Sequence, residues 1–192
     1  MKNIDTCISR DADEVISKAQ EIGWQDFENY STKMIEADDW GELKKKLRKF
    51  REENHVIVFL GGNEEMNRKA VSDPRVDILL HPGKNRKDSG FDEPMAEKAA
   101  ENDVTIGLDF RMLSTSNKKR VHTLSNWRKN LMLCEKHGVS YLITTAANQK
   151  YELRAPRDLK SLIDSLGYSG KDAVEKHTEI VEKNSEKLGE DI

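Results

Sequence analysis

Among the 192 residues, the side chains that could carry chemistry are five histidines, two cysteines and an unevenly placed set of Lys and Arg. His55, His81, His122, His137 and His177 are scattered, and none forms a His-x-His or His-Glu-x-x-His pair of metal-binding spacing. His81 is the one to weigh, because it follows the apolar run Asp77–Leu80 and opens the basic loop His81-Pro-Gly-Lys-Asn-Arg-Lys87. A metal or acid–base role there needs a second ligand or an orienting carboxylate, for which Asp77 and Asp109 are the possible neighbours. The alternative is a histidine bonded to loop backbone or touching phosphate. Cys7 and Cys134 occupy apolar positions, lack metal-ligand spacing and cannot build a disulfide framework, so they read as buried small hydrophobes. No Gly-x-Ser-x-Gly elbow is present. Gly61-Gly62 before a helix could cradle a phosphate. Glu64 and Glu65 would repel an anion there, which favours a tight backbone turn.

The basic residues are more informative. The formal charge is −3 and the pI about 6.0, totals that speak against nucleic acid. Divided by segment, the picture reverses. Residues 111–160 hold eleven Lys/Arg against three Asp/Glu, whereas residues 11–40 hold nine acids and two bases. The loops that should follow strands collect Lys84, Arg86, Lys87, Arg111, Lys118, Lys119, Arg120, Lys150, Arg154 and Arg157. In parallel βα proteins these loops share one face, where ligands bind. A face polarised in this way steers a polyanion whatever the total charge. The bland alternative is a solvated surface in a chain that is 35% charged.

The elements that must position these loops are legible as alternating short apolar runs and amphipathic helices. Strands are expected at Ile4–Ile8, Val56–Leu60, Asp77–Leu80, Val104–Leu108 and Tyr141–Thr144, with a weaker one around Trp24–Tyr30. Asp39-Trp-Gly-Glu42 reads as a capping box opening Trp40–Glu53. Asn63 and Asp92 cap further helices, the second with Pro94 in its first turn. Val121, Leu124, Leu131 and Cys134 mark a long helix ended by Gly138, Pro156 starts another, and Val174 and Ile180 give a final helix about 170–188 a thin apolar face. Successive βα units imply parallel strands with right-handed crossovers, in either an open doubly wound sheet or a closed (β/α) barrel. No nucleotide-binding glycine fingerprint follows any strand, and the chain is shorter than the ~250 residues of a typical barrel. One domain over 1–192 is expected. The longest apolar run, Val56–Leu60, is far below the ~20 residues that span a bilayer. Met1–Asp13 lacks the apolar core of a signal peptide, and a reduced, cytoplasmic protein is the default.

Beyond these patterns, the run Asn67-Arg-Lys-Ala-Val-Ser-Asp-Pro-Arg-Val-Asp-Ile-Leu-Leu-His-Pro-Gly83 resembles the ribonuclease P protein family called component 3 in archaea, whose eukaryotic relatives are the p30-type subunits. Arg86–Asp92, Ala96–Val104, Trp127–Leu131 and Leu153-Arg-Ala-Pro-Arg-Asp-Leu159 fit the same family in the same order, covering roughly residues 55–170. The resemblance implies a compact TIM-like (β/α) barrel related to the polymerase-and-histidinol-phosphatase metal hydrolases. Asp5-Thr-Cys7 stands where those hydrolases carry a His-x-His pair, so the implied metal site is degenerate. Gly107 stands where the family usually has an acid.

The implied function is that of a ribonuclease P subunit, an endoribonuclease holoenzyme that removes the 5′ leader from precursor tRNA. Its RNA subunit carries the hydrolysis with Mg²⁺, and the protein itself is expected to hold no cofactor or catalytic residue. The implied partners are ribonuclease P RNA, a small α/β partner protein, other ribonuclease P proteins and, through the holoenzyme, precursor tRNA. Motif-matched candidates for phosphate contact are Arg68, Lys84, Arg86, Lys87, Arg120, Arg154 and Arg157, although Arg68 and Arg157 could instead pair with local carboxylates such as Asp73 or Asp158. A metal-dependent phosphoesterase of the related barrel type is the alternative. A scaffold that meets proteins through the acidic stretch 11–40 and the charged final helix is a third reading.

Overall fold

Five short apolar runs pair into one parallel sheet in strict chain order, and that order decides the architecture. The computed structural model describes residues 2–9, 13–25, 29–114 and 117–188, without the side chains of residues 117 and 118. The strands are β1 (Thr32–Ile35), β2 (Val56–Leu60), β3 (Ile78–Leu80), β4 (Thr105–Asp109) and β5 (Tyr141–Thr144), paired β1-β2-β3-β4-β5. The helices are α1 (Asp13–Glu21), α2 (Trp40–Phe50), α3 (Glu64–Val71), α4 (Glu93–Asn102), α5 (Asn117–His137), α6 (Pro156–Ser165) and α7 (Gly170–Leu188). A doubly wound sheet must reverse its strand order to place helices on both faces. Sequential order with right-handed crossovers puts every crossover helix on one face and curls the sheet around the other. The fold is therefore α/β, a TIM-like barrel.

Alternation along each strand sorts side chains between the two faces. Ile57, Phe59, Leu79 and Ile106 point outward into a cluster completed by Leu43 and Leu47 of α2, Met66 and Ala70 of α3, and Met95 and Ala99 of α4. Leu108 and Ile143 point outward too, into a second cluster with α1, α5 and α6. Inward lie Val56, Val58, Ile78, Leu80 and Leu142. Each fully buried Val, Ile or Leu contributes roughly 1.5–3 kcal/mol. The helix starts follow local chemistry. Asp39 accepts from Glu42 N at 2.9 Å, Asn63 from Met66 N at 3.2 Å and Asp92 from Met95 N at 3.1 Å. The Glu42 carboxylate reaches back to Asp38 N, one residue earlier than a capping box requires.

The interior is closed by two pieces that the apolar pattern misjudges. Ile4–Ile8, expected as a strand, is turn-like. Asp5 Oδ1 accepts from Cys7 N at 3.1 Å, and this local side-chain bond competes with ladder pairing. The segment still lies along the barrel seam: Ser9 N donates to Ala147 O after β5, and Tyr30 Oη donates to Asp5 O just before β1. The weaker strand expected around Trp24–Tyr30 stands instead at Thr32–Ile35, and residues 26–28 lie outside the described residues.

The second piece is α7. Far from having a thin apolar face, it buries Ala173, Val174, His177, Thr178, Ile180, Val181, Asn184 and Ser185. Polar members of that face bond across the barrel. Asn184 Nδ2 donates to His55 O and to Asp77 Oδ1, both at 2.8 Å, while Asp77 also receives Ile57 N at 2.7 Å and Arg51 Nη1 at 2.5 Å. At the other end, His177 Nδ1 accepts from Thr6 N at 3.2 Å and its Nε2–H donates to Ile143 O at 3.0 Å. Helix α7 thus ties β5, the N-terminal segment and the starts of β2 and β3 together.

Gly107, the departure from the family pattern, sits on the inner face of β4. A Cβ there would stand 2.8 Å from Leu80 Cδ1 and 3.0 Å from Ile78 Cγ2. The neighbouring β3 side chains have taken the space that an acid would need.

Two outcomes follow from this packing. Gly107→Asp places an unpaired carboxylate against Leu80 and should cost at least about 3 kcal/mol in urea unfolding; a variant within 1 kcal/mol of the parent would contradict this packing. Burial holds His177 neutral and depresses its protonation, and it likewise lowers His81 to about 4. Because the unfolded chain then binds more protons, stability should be full above about pH 6.5 and decline toward pH 4. His177→Leu should cost on the order of 2–4 kcal/mol at neutral pH and flatten that acid limb.

Candidate nucleic-acid interface

The loops at the C-terminal ends of β2 and β3 are built around one buried amide. Asn67 of α3 donates from Nδ2 to Pro82 O and to Gly90 O, both at 2.9 Å, and its Oδ1 accepts from Gly62 N at 3.2 Å. This pins the Gly61-Gly62 turn against the loop that follows β3. A Cβ on Gly61 would lie 2.7 Å from Pro82 Cα, and one on Gly90 would lie 2.0 Å from Pro82 O. Both glycines allow close backbone approach, and at Gly61-Gly62 this accompanies the tight turn expected there. His81 itself takes a left-handed backbone, φ 57°, which turns the chain sharply as it leaves the strand.

Between this loop and α5 lies a cleft of about 530 Å³. Its walls include His81, Ser89, Asn126 and Asn130, its floor the backbone of Gly107 with Leu108, Met112 and Trp127, and its rim Arg86, Lys87, Lys119 and His122. A smaller cavity of about 220 Å³ adjoins it at His81 and Met112 and reaches Lys84, Asp109 and Arg111. Burial is the first cause holding His81 neutral; the Asp109 carboxylate opposes it, and the Lys84 and Arg111 charges reinforce it. The Asp109 carboxylate is already engaged by Arg111, through its backbone N at 2.9 Å, Nε at 3.2 Å and Nη2 at 2.9 Å.

The candidate cations divide into two groups. Arg86 is held by Asp88 at 2.6 Å and Glu64 at 2.9 Å, and Arg68 by Asp92 at 2.5 Å and Glu64 at 3.2 Å. These carboxylates raise both guanidinium pKa values. Lys84 meets Glu36 at 3.3 Å. Arg68 does pair with local carboxylates, though with Glu64 and Asp92 rather than Asp73, whose partner is Arg75. The other group faces solvent more freely. Lys87 is exposed, and Arg157 is 90% exposed with Asp158 at 3.6 Å. Arg154 lies over the Phe110 ring, 5.1 Å from its centroid, and bonds the carbonyls of Tyr151 and Leu153. Arg120 Nε bonds Leu113 O at 2.8 Å. Residues 115 and 116 of the expected basic loop, and the Lys118 side chain, lie outside the described residues. The structure brings Lys84, Arg86 and Lys87 together on one loop, with Arg68 joined to Arg86 through Glu64. Arg154 and Arg157 stand after β5.

The residues around Asp5 do not offer the donor set of a metal site. Both Asp5 oxygens are occupied: Oδ1 receives Thr144 Oγ1 at 2.5 Å and Oδ2 receives Thr145 N and Oγ1 at 2.8 and 2.9 Å. Burial, reinforced by the Asp5 charge, pushes the Cys7 thiol far up, and burial raises Cys134 to about 12. Neither is a ready thiolate. Among the described residues, no group of three or more His, Cys, Asp or Glu is placed to hold a metal ion.

Residues 4–188 match the family model of RNase P subunit p30. The chain belongs to that family. The ribonuclease P protein component 3 of Methanosarcina barkeri is 36% identical over 82% of this chain, that of Methanocaldococcus jannaschii 38% over 71%, and that of Methanothermobacter thermautotrophicus 35% over 80%. The aligned parts amount to 66%, 60% and 63% of those relatives' lengths, so this chain spans less than two thirds of each. A chain in the cryo-EM structure of archaeal ribonuclease P with mature tRNA is 31% identical, with a TM-score of 0.80 over all of this chain and 84% of that one.

In this p30-family chain, sequence reasoning missed the helical wall of the cleft. Lys119, His122, Thr123, Asn126, Trp127 and Asn130 recur at the spacing of one face of α5. That periodicity was the available signal, but the apolar residues drew attention instead. Of those, Leu131 and Cys134 are buried, whereas Val121 is 66% exposed.

Asn67→Leu keeps the side chain's bulk and removes all three bonds, leaving two buried carbonyls and an amide unpaired. We expect a loss of about 2–4 kcal/mol in thermal or urea unfolding and faster proteolysis within residues 82–90. Parent-like protection of that loop would contradict the assigned role.

Proposed function

We propose that this chain is a protein subunit of ribonuclease P, acting in 5′-leader removal from precursor tRNA. The observation that carries the reading is the full-length structural likeness to a chain of archaeal ribonuclease P, joined to family membership over residues 4–188. The spent carboxylate of Asp5 and the committed Asp109 agree with a barrel that does no hydrolysis by itself. The RNA subunit with Mg²⁺ would then carry the chemistry; the metal-dependent phosphoesterase alternative finds no donor cluster among the described residues, and the matched family is that of a ribonuclease P subunit.

In this reading the protein supplies charge and shape. Arg68, Lys84, Arg86, Lys87, Arg120, Arg154 and Arg157 are the proposed phosphate contacts. Exposed ion pairs are worth only about 0–1 kcal/mol, so a phosphate can replace the carboxylates now holding Arg68 and Lys84. Glu64, shared by Arg68 and Arg86, keeps both guanidinium groups oriented until then. Arginine at such sites offers two parallel donors to phosphate oxygens, which lysine cannot. The small α/β partner and the other ribonuclease P proteins would meet surfaces away from these loops, including the outer side of α7. No helix among the described residues is long and apolar enough to cross a membrane. Two buried thiols suit a reducing cytoplasm.

Reconstituted precursor-tRNA cleavage with and without the chain tests the proposal: its omission should lower the rate or raise the Mg²⁺ requirement, and an unchanged reaction would remove the claim. Binding of the chain to ribonuclease P RNA should weaken with salt at a log–log slope of roughly −2 to −3 if about half of the named cations touch phosphate. A flat salt dependence contradicts phosphate contact.

A further inference from the structure

The cleft between the 81–89 loop and α5 contains two polar atoms that the fold leaves unmatched. Asn130 is 2% exposed; its Nδ2 donates to Ser89 O at 3.3 Å, while its Oδ1 is buried and bonds nothing. His81 Nε2 is likewise buried without a partner. Buried polar atoms are ordinarily paired, so two of them lining one open cleft mark a place for a ligand that carries hydrogen-bonding groups. The cleft is within the size range of small-molecule sites, which bury most of a ligand against apolar walls and orient it with a few polar groups.

The chemistry of the lining narrows the ligand class. Asn130 and His81 line the deep wall, with an unmatched amide oxygen acceptor and a neutral imidazole nitrogen just beneath its surface, the nitrogen accepting or donating according to its tautomer. An anion placed deep would face the Asn130 oxygen without a donor, so inorganic phosphate alone does not fit there. Positive charge lies outside, at the rim. Lys87 and Lys119 are exposed there and pair with no carboxylate among the described residues, in contrast to Arg86 beside them. The floor is apolar, from Leu108, Met112 and Trp127 over the bare backbone of Gly107. The ligand is therefore apolar in its faces, N–H bearing along its inner edge and anionic at its outer end.

We propose that this cleft binds one nucleotide, with the base edge against Asn130 and His81 and the phosphate between Lys87 and Lys119. The inference rests on the proposed RNA-facing role only for the nucleotide's source: the same chemistry belongs to a free 5′-mononucleotide and to a nucleotide unstacked from an RNA strand.

The test uses the purified full chain and calorimetric or NMR titration with 5′-AMP, 5′-GMP, 5′-CMP and 5′-UMP, and with inorganic phosphate. At least one mononucleotide should bind saturably and at least tenfold more tightly than phosphate. Thr123→Trp, which fills the cleft from a half-buried position, should abolish this binding, and Asn130→Leu should weaken it at least tenfold. Lys87→Ala with Lys119→Ala should lower mononucleotide affinity while leaving the parent nucleoside's affinity unchanged, and Lys129→Ala, outside the cleft, should have no effect. In a second arm, a hairpin RNA with one bulged nucleotide is compared with its fully paired counterpart. Preference for the bulge, lost in Thr123→Trp, assigns the site to RNA; mononucleotide binding without that preference assigns it to the free ligand. Equal affinity for phosphate and mononucleotide overturns the proposal. So does parent-like binding by a folded Thr123→Trp variant, or failure of both mononucleotides and bulge to bind. Retained stimulation of precursor-tRNA cleavage alongside such a failure rejects the nucleotide site and leaves the subunit role standing.

Discussion

A parallel sheet in chain order has one apolar face that its own crossover helices cannot reach. Everything else in this molecule answers that constraint. Val56, Val58, Ile78, Leu80 and Leu142 must be covered from inside, and the covering comes from the N-terminal segment around Ile4 and Cys7, from Tyr30 and from α7. These pieces are not held by apolar contact alone. Asp5 bonds Thr144 and Thr145 at the end of β5, His177 bonds Thr6 and Ile143, and Asn184 bonds His55 and Asp77. A buried polar group costs several kcal/mol when unpaired and specifies a single geometry when paired, so these contacts set where α7 can sit.

The same arrangement separates two ends of the barrel. Polar tethers from α7 occupy the starts of β2 and β3, where Asp77 gathers three donor groups, from Arg51, Ile57 and Asn184. The ends of β2 to β5 are left to loops, and there the structure is organised by Asn67 and by close glycine approaches. The tethers through Asp77 hold one end, and the proposed RNA contacts lie at the other, the division expected of a (β/α) barrel. The positive character of the loop face is moderated by its own carboxylates. Glu64, Asp88 and Asp92 orient Arg68 and Arg86, so these guanidinium groups are held in place at the cost of sharing their charge.

At the N-terminal seam, Asp5 serves structure: it closes the gap between the first segment and β5 instead of presenting free oxygens. Asp109 meets Arg111, and Gly107 yields its side-chain space to Leu80 and Ile78. Three positions on the inner and upper wall thereby serve packing.

Much of this was legible in the residues. Short apolar runs located β2 to β5 to within a residue or two, the caps at Asp39, Asn63 and Asp92 marked their helices, and motifs from Asn67 to Leu159 named the family, because caps and buried parallel strands are dictated by nearby residues. Three matters could not be read that way. Asp5-Thr-Cys made a turn of an apolar run, small polar residues and a histidine made the buried face of α7, and Asn126 and Asn130 became the wall of a cleft. In each, a buried polar side chain (Asp5, His177, Asn130) bonds a partner tens of residues away or more, and sequence periodicity records polarity, not the distant partner. The sequence by itself determined the alternation of elements, the family and the loops that bear positive charge. Only the tertiary structure decided what fills the barrel, which of those charges are already paired, and where two buried polar atoms beside the cleft were left without a partner.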